Sequence, residues 1–155
     1  MLTFIKSEES LIEVELEIMN SQPSYNLISS GRATLTTYDI IKEQKEEKLE
    51  KERYVIKWMD HYVGIIDFTL KNPKDGFPWL GLFLIHSDWE NRGIAKKAYS
   101  LYESMMVAKK VNTIRLGCFE ENKKGKRYWE KLGFDVQKSV FYKEKPLLIM
   151  QKKLS

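Results

Sequence analysis

The sequence predicts a single mixed α/β domain. Its 155 residues suit one compact core. Short runs rich in β-branched and aromatic residues alternate with segments of helical periodicity. Strong breakers separate them, above all Asn72-Pro73-Lys74-Asp75-Gly76 and Gly133. The predicted order is β-α-α-β-β-β-α-β-α-β-β, with residues 1–155 forming one domain.

Residues 2–6 alternate weakly and make a short first strand. Ser7 ahead of Glu8 and Glu9 reads as an N-cap followed by first-turn carboxylates. Leu11, Val14 and Ile18, with Ile12, Leu16 and Met19, keep helical spacing to about Asn20, where Ser21-Gln22-Pro23-Ser24 breaks it. A second helix is expected over about 37–52. Its charged run from Lys42 to Arg53 reads as a solvated face with (i, i+4) pairs such as Glu47–Lys51. Tyr54, Val55, Ile56 and Trp58 then form a strand, Met59-Asp60-His61 its turn, and Tyr62 to Leu70 the next strand. Trp79 to Ile85 is almost wholly apolar and is expected to be covered on both faces. From about Gly93 a helix places Ile94, Ala98, Leu101 and Met105 on one face, with Ala95, Tyr102 and Met106 beside them, and ends near Lys109 and Lys110. Thr113 to Phe119 is a strand and Lys123 to Leu132 a short helix stopped by Gly133. Phe134–Phe141 and Leu147–Lys152 form a final antiparallel pair.

A hydrophobic fraction of 43% and a charged fraction of 31% are those of an ordinary globular chain. The net charge of +4 favours an anionic ligand, but the signs are mixed and no basic stripe of a nucleic-acid binder appears. The single cysteine, Cys118, excludes an intrachain disulfide and fits a reducing compartment. No apolar run approaches the ~18–20 residues that span a bilayer, and the first residues lack a signal-like pattern, so a cytoplasmic location is expected. Two His and one Cys show no metal-ligand spacing, so no metal is expected.

The informative stretch is Phe83-Leu84-Ile85-His86-Ser87-Asp88-Trp89-Glu90-Asn91-Arg92-Gly93-Ile94-Ala95-Lys96-Lys97. An apolar strand runs through a short loop into a helix that opens with Gly and Ala. The first turn of a helix carries unpaired N–H groups and partial positive charge, which suit a pyrophosphate. Gly93 lets an anion approach the backbone, and Arg92, Lys96 and Lys97 add charge. Such a glycine alone is as readily structural as functional. The sequence has no GxGxxG, and Gly117 to Lys126 is no P-loop, because Arg127 stands where Ser or Thr is needed.

Glu90-Asn91-Arg92-Gly93-Ile94-Ala95 resembles the Gln/Arg-x-x-Gly-x-Gly/Ala pattern of the GNAT superfamily of N-acetyltransferases. Downstream, Asn122 and Tyr128-Trp129-Glu130-Lys131-Leu132-Gly133-Phe134 are similar to that family's Asn followed by aromatic-Tyr-x-x-Leu-Gly-Phe. The resemblance is firm over about 79–136. It implies a mixed, mostly antiparallel twisted sheet of six or seven strands with helices on both faces. It also implies direct acetyl transfer from acetyl-CoA to a primary amine. Phe83, Leu84 and Ile85 should then offer main-chain groups to the pantetheine arm as an added strand would use them. Asn91, Arg92, Gly93, Ile94, Ala95 and Lys96 should supply the pyrophosphate site. Asn122 should touch the cofactor, with a plain helix cap as the alternative.

An alkyl ammonium must lose a proton before it attacks the thioester, and the oxyanion needs a donor, expected near Leu84 or Ile85. Many family members place an acidic Tyr four residues before the Gly of Leu-Gly-Phe; Trp129 stands there. Tyr128, about 100° around the helix, is the candidate acid. Trp79 stands about where some members have a carboxylate base. The remaining base candidates are Asp67, Glu120, Glu121, His86 and His61, or ordered water. Cys118 reads as a core residue rather than a nucleophile. The acceptor amine is not identified. The five carboxylates of Glu8–Glu17 hint at a cation, but they also read as a solvated face. Two other functions remain open: an acyl-CoA-binding module with little catalysis, and a basic interaction protein using Lys123-Lys124-Gly125-Lys126-Arg127. The expected partners are acetyl-CoA and an amine, with the chain a monomer or homodimer.

Overall fold

The computed structural model describes residues 1–45 and 51–154. One seven-stranded sheet holds β1 (Leu2–Lys6), β2 (Glu52–Trp58), β3 (His61–Thr69), β4 (Trp79–Ile85), β5 (Thr113–Phe119), β6 (Asp135–Tyr142) and β7 (Lys145–Lys153) in the order β1-β2-β3-β4-β5-β7-β6. Neighbours run antiparallel except β4 and β5, which are parallel. The helices are α1 (Ile12–Asn20), α2 (Pro23–Ser30), α3 (Thr37–Gln44), α4 (Ile94–Ala108) and α5 (Lys123–Lys131).

The predicted strands all form. The helices before β2 differ from expectation. Pro23 does break α1, but it also starts α2, because a proline at the first helical position loses no hydrogen bond and already has helical φ. Gly31 closes α2 at φ 80°. Ser7 caps no helix. It precedes a 3₁₀ turn at Glu9–Leu11, and its hydroxyl donates to the buried Glu15 instead. The expected second helix is shorter than 37–52. Thr36 and Asp39 form a capping box at the start of α3, which ends at Gln44. Glu52 and Arg53 already belong to β2, and the Glu47–Lys51 pair lies outside the described residues.

Two cores sandwich the sheet, one on each face. α4 and α5 cover the first, where Phe68, Tyr102, Met106, Ile114 and Phe134 are essentially inaccessible. α1 to α3 cover the second, built on Ile18, Ile40, Val55, Ile65, Leu82 and Leu84. β4 serves both. Asp67 pairs with Leu82 and Phe68 with Leu80, which leaves Gly81 as an extra residue in β4. That bulge re-aims the strand, so Leu80 packs in the first core and Leu82 in the second.

The feature that creates a site is the parting of β4 and β5. They pair only at Trp79–Arg115 and Leu80–Leu116. Beyond that point β4 stays on β3 and β5 stays on β7 as far as Phe119–Leu147, so a wedge opens between them.

Candidate active site

The main chain of β4 decides what faces the wedge. His86 N–H donates to Val63 O at 2.8 Å on the β3 side. Successive residues of a strand direct their N–H and C=O groups to opposite neighbours. Ile85 and Phe83 therefore turn theirs toward the wedge. The Leu84 carbonyl points the other way, so that a Cβ on Gly64 of β3 would lie 2.5 Å from it. Of Phe83, Leu84 and Ile85, the first and third thus offer main-chain groups to the wedge, and Leu84 contributes a side chain to the second core. The Ile85 carbonyl accepts from Gln22 Nε2 at 2.8 Å, and the same amide reaches Glu90. Ser21 Oγ accepts from Ser87 N–H at 3.1 Å. The α1–α2 junction is thereby fixed to the top of β4.

The loop after β4 leads straight into α4. Asn91 and Gly93 have φ of 61° and 80°, in the left-handed region that glycine tolerates best. Gly93 is the N-cap of α4, and its carbonyl takes Lys97 N–H at 3.2 Å. The N–H groups of Ile94, Ala95 and Lys96 precede that first helical bond and point out of the helix. A Cβ on Gly93 would meet nothing within 4 Å, so the space before these amides is open and the glycine serves conformation rather than crowding. Arg92 lies over the Trp89 ring at 4.9 Å, Trp89 contacts His61 at 4.9 Å, and Lys97 lies 5.8 Å from the Trp58 ring. Asn91, Arg92, Lys96 and Lys97 are exposed around this cradle.

On the other wall, Asn122 is the N-cap of α5 and accepts from Gly125 N–H at 3.0 Å. Gly125 is needed beneath it, since a Cβ there would come 2.5 Å from Asn122 Nδ2. Trp129, at the position where the family places Tyr, packs against Phe83 of β4, Phe134 and Tyr99 at centroid distances of 5.9, 5.5 and 6.1 Å. Tyr128 stands edge-on to Trp129 at 5.1 Å. Its hydroxyl is buried with no hydrogen-bond partner among the described residues, and burial pushes its pKa up.

Beneath the α1–α3 face lies a charge cluster. Arg53 of β2 meets Glu15 of α1 at 2.8 Å, Glu43 of α3 at 3.0 Å and Asp67 of β3 at 3.1 Å. Glu15 is fully buried and also accepts from Ser7 Oγ and from Gln44 Nε2. Burial drives the Asp67 pKa up to about 6, against the opposing pull of Arg53 and Lys51. Tyr25 of α2 is pushed up by burial and by the Asp67 and Glu43 carboxylates.

A profile of the acetyltransferase (GNAT) family matches residues 17–134. The chain belongs to that family. No curated protein sequence matches this acetyltransferase. Its fold is shared with solved structures of low sequence identity. An acetyltransferase from Thermus thermophilus is 20% identical with a TM-score of 0.81, covering 98% of this chain and 96% of that one. Mutant forms of the spermidine/spermine N-acetyltransferase from Vibrio cholerae are 15% identical with a TM-score of 0.70, covering 99% and 94%. An aminoglycoside acetyltransferase in complex with coenzyme A is 17% identical with a TM-score of 0.74, covering 99% and 95%.

Within this acetyltransferase the expected base candidates occupy very different places. His86 Nδ1 accepts from Asp88 N–H at 3.0 Å and caps the short turn after β4. His61 is exposed against Trp89. Glu120 is exposed, and Glu121 bridges to Lys145 at 2.7 Å, which also donates to Ile28 O and ties the β6–β7 hairpin to α2. Trp79 donates its indole N–H to Asp75 at 2.8 Å and anchors the foot of β4. Cys118 is buried, and burial raises its thiol to about 11, which fits a core residue. Sequence reasoning missed Arg53, Glu15, Gln22 and Tyr25. Arg53 and Glu15 were assigned to solvated charged faces, yet both are buried. The one signal available was that Arg53 adjoins the apolar run of β2.

Proposed function

We propose that this N-acetyltransferase transfers the acetyl group of acetyl-CoA directly to a primary amine. The observation that carries the proposal is the wedge between β4 and β5 with the Gly93 cradle at its mouth. The wedge-facing main-chain groups of Phe83 and the N–H of Ile85, whose carbonyl is taken by Gln22, suit an extended amide-bearing arm laid along β4. The outward N–H groups of Ile94, Ala95 and Lys96, with Asn91, Arg92 and Lys97 beside them, suit a pyrophosphate. A neighbour of the same fold was solved with coenzyme A. Acetyl-CoA supplies the activated acyl group, and the protein supplies position and charge.

In this reading the wedge-facing N–H of Ile85 or Phe83 donates to the developing oxyanion, which is worth most in a dry, preorganised site. Tyr128 is the proposed donor to the departing sulfur. Its buried hydroxyl lacks a partner, and a thiolate would provide one. Its raised pKa suits hydrogen-bond donation better than complete proton release. Asn122 caps α5 and so sets the wall the arm would run along. The acceptor is an amine reaching the wedge from the α1–α2 side. Polyamines and aminoglycosides are acceptors named for neighbours of the same fold.

Calorimetric titration with acetyl-CoA tests the cofactor site, with binding below millimolar concentration expected. Release of CoA thiol is then followed with spermidine, kanamycin and an alanine-initiated peptide. Binding without thiol release from any amine would favour an acyl-CoA-binding module instead. No binding at millimolar acetyl-CoA would sink the reading.

A further inference from the structure

We infer that Asp67, reaching across Gly81, accepts the proton of the incoming amine; the inference rests on the acetyl-transfer reading above. Trp79 stands about where some family members carry a carboxylate base, so β4 itself carries no acid there. The neighbouring strand β3 supplies one further along, since Trp79 pairs with Thr69 and Asp67 stands nearer the wedge. Asp67 pairs with Leu82, the residue before Phe83, whose main chain faces the wedge. Gly81, the bulge residue, has no side chain on this face, and a Cβ there would stand 2.5 Å from Asp67 Oδ1. The bulge and the glycine together leave room for the carboxylate beside the wedge.

The other acids of the cluster are committed elsewhere. Both Glu15 oxygens are engaged, one by Arg53 and one by Ser7 and Gln44, at zero exposure. Glu43 sits on α3 rather than on a strand beside β4, and its Oε2 pairs with Arg53. Asp67 holds Arg53 through Oδ2 alone, and Oδ1 accepts no hydrogen bond among the described residues. Arg53 therefore fixes the carboxylate's orientation and leaves one oxygen for the substrate. The groups facing Asp67 are Arg53 from β2, Lys51 just before it, Glu43 from α3 and the Tyr25 phenol from α2. Three carboxylates gathered on one guanidinium favour arrival of a cation. A carboxylate held near neutrality in this setting is ionised when the amine arrives and can still be reprotonated.

Oδ1 takes one proton from the substrate ammonium. The freed nitrogen lone pair forms the N–C bond to the acetyl carbon, and the C–S bond breaks with its electron pair on sulfur. The second nitrogen proton ends on that sulfur by way of Tyr128 or water. Asp67 returns its proton to solvent as the amide leaves.

Asp67→Asn keeps the size and an Arg53 contact while removing the base. With the best alkylamine of the panel, we expect kcat to fall about 100-fold with acetyl-CoA affinity unchanged. The acid limb of the kcat/KM profile near pH 6 should vanish. With O-methylhydroxylamine, whose nitrogen is already neutral at pH 7, the loss should shrink to within a few-fold. A purely structural role would lower both amines alike. Equal loss with both, or D67N activity within threefold of the native enzyme at all pH values, overturns the inference. Gly81→Ala, which displaces Oδ1 but keeps the acid, should show the same alkylamine-selective loss and carries the test if D67N fails to fold. Failure of the native enzyme to acetylate any amine would instead overturn the transfer reading.

Discussion

Residues 82–97 and the Arg53 cluster are built in opposite ways. The first is a continuous stretch whose working groups are main-chain amides, presented by a strand that has lost its neighbour and a helix that has just begun. The second is assembled from side chains on α1, α2, α3, β2 and β3, far apart along the chain. Main-chain recognition depends on local conformation, so a few residues with positive φ encode it. A side-chain cluster depends on where separate elements dock, and no short pattern encodes that. The contrast predicts that the two regions fail differently when disturbed.

The largest effect belongs to Arg53. Arg53→Met leaves Glu15, Glu43 and Asp67 facing one another without their guanidinium. Breaking a buried pair from one side costs about 3–5 kcal/mol, and urea unfolding should show a loss of that order. A loss below about 1 kcal/mol would mean that the cluster is hydrated in solution. Gly93→Val should do the reverse. The Cβ meets open space, so folding should suffer only the local backbone strain of about 1–3 kcal/mol. Acetyl-CoA affinity should nevertheless fall at least about 100-fold, or about 2.7 kcal/mol, because the outward amides of α4 lose their geometry. Unchanged affinity would move the proposed pyrophosphate site elsewhere.

A smaller effect lies in pH. Asp67 titrates near 6 in the folded protein against a reference value of 3.8. The folded state therefore binds its proton more tightly than the unfolded chain. The associated stability is fully present below about pH 4 and is lost as pH rises through 6. Asn carries no charge to desolvate. D67N should thus be more stable than the native protein at pH 8, by about 1–3 kcal/mol, and the gap should close by pH 4. A variant that gains stability while losing turnover would mark the acid as functional rather than supporting. D67N less stable than native at pH 8 would show that the Arg53 bridge outweighs desolvation.

How much of this was legible follows the same division. The strand sequence was readable because β-branched and aromatic runs such as Tyr62 to Leu70 and the apolar Trp79 to Ile85 have few other ways to bury themselves. Gly93 and Gly133 were readable because both sit at positive φ beside a helix end. The helices before β2 were not. Pro23 marks a helix start and a helix break equally well, and the docking of Gln22 on Ile85 that accompanies the start is a contact between residues far apart in the chain. Arg53 looked like one more member of a charged run. Its burial is imposed by Glu15 and Asp67, which lie 38 and 14 residues away. The wedge itself was not legible, because nothing within β4 or β5 says that they part after Leu80 and Leu116. The same strand alternation that sets Phe83 and Ile85 toward the wedge turns Leu84 away, a distinction visible only once β3 is in place.

The smallest expected effect concerns the boundary between the two regions. Tyr128 carries a buried hydroxyl with no partner among the described residues, and Trp129 occupies the wall at Phe83. Tyr128→Phe removes a polar atom that makes no hydrogen bond and leaves the ring contact with Trp129 in place. Deleting an unsatisfied buried hydroxyl is near neutral or slightly stabilising, so stability should change by less than about 1 kcal/mol. If the hydroxyl donates to the leaving sulfur, kcat should fall about 10-fold with acetyl-CoA affinity unchanged. The loss should be the same for alkylamines and for O-methylhydroxylamine, because sulfur departs in both reactions. Asp67→Asn should separate those substrates and Tyr128→Phe should not, which assigns one proton to each end of the wedge. Should Y128F keep full activity with both amines, Trp129 has replaced the family's tyrosine as wall alone, and the thiolate takes its proton from water.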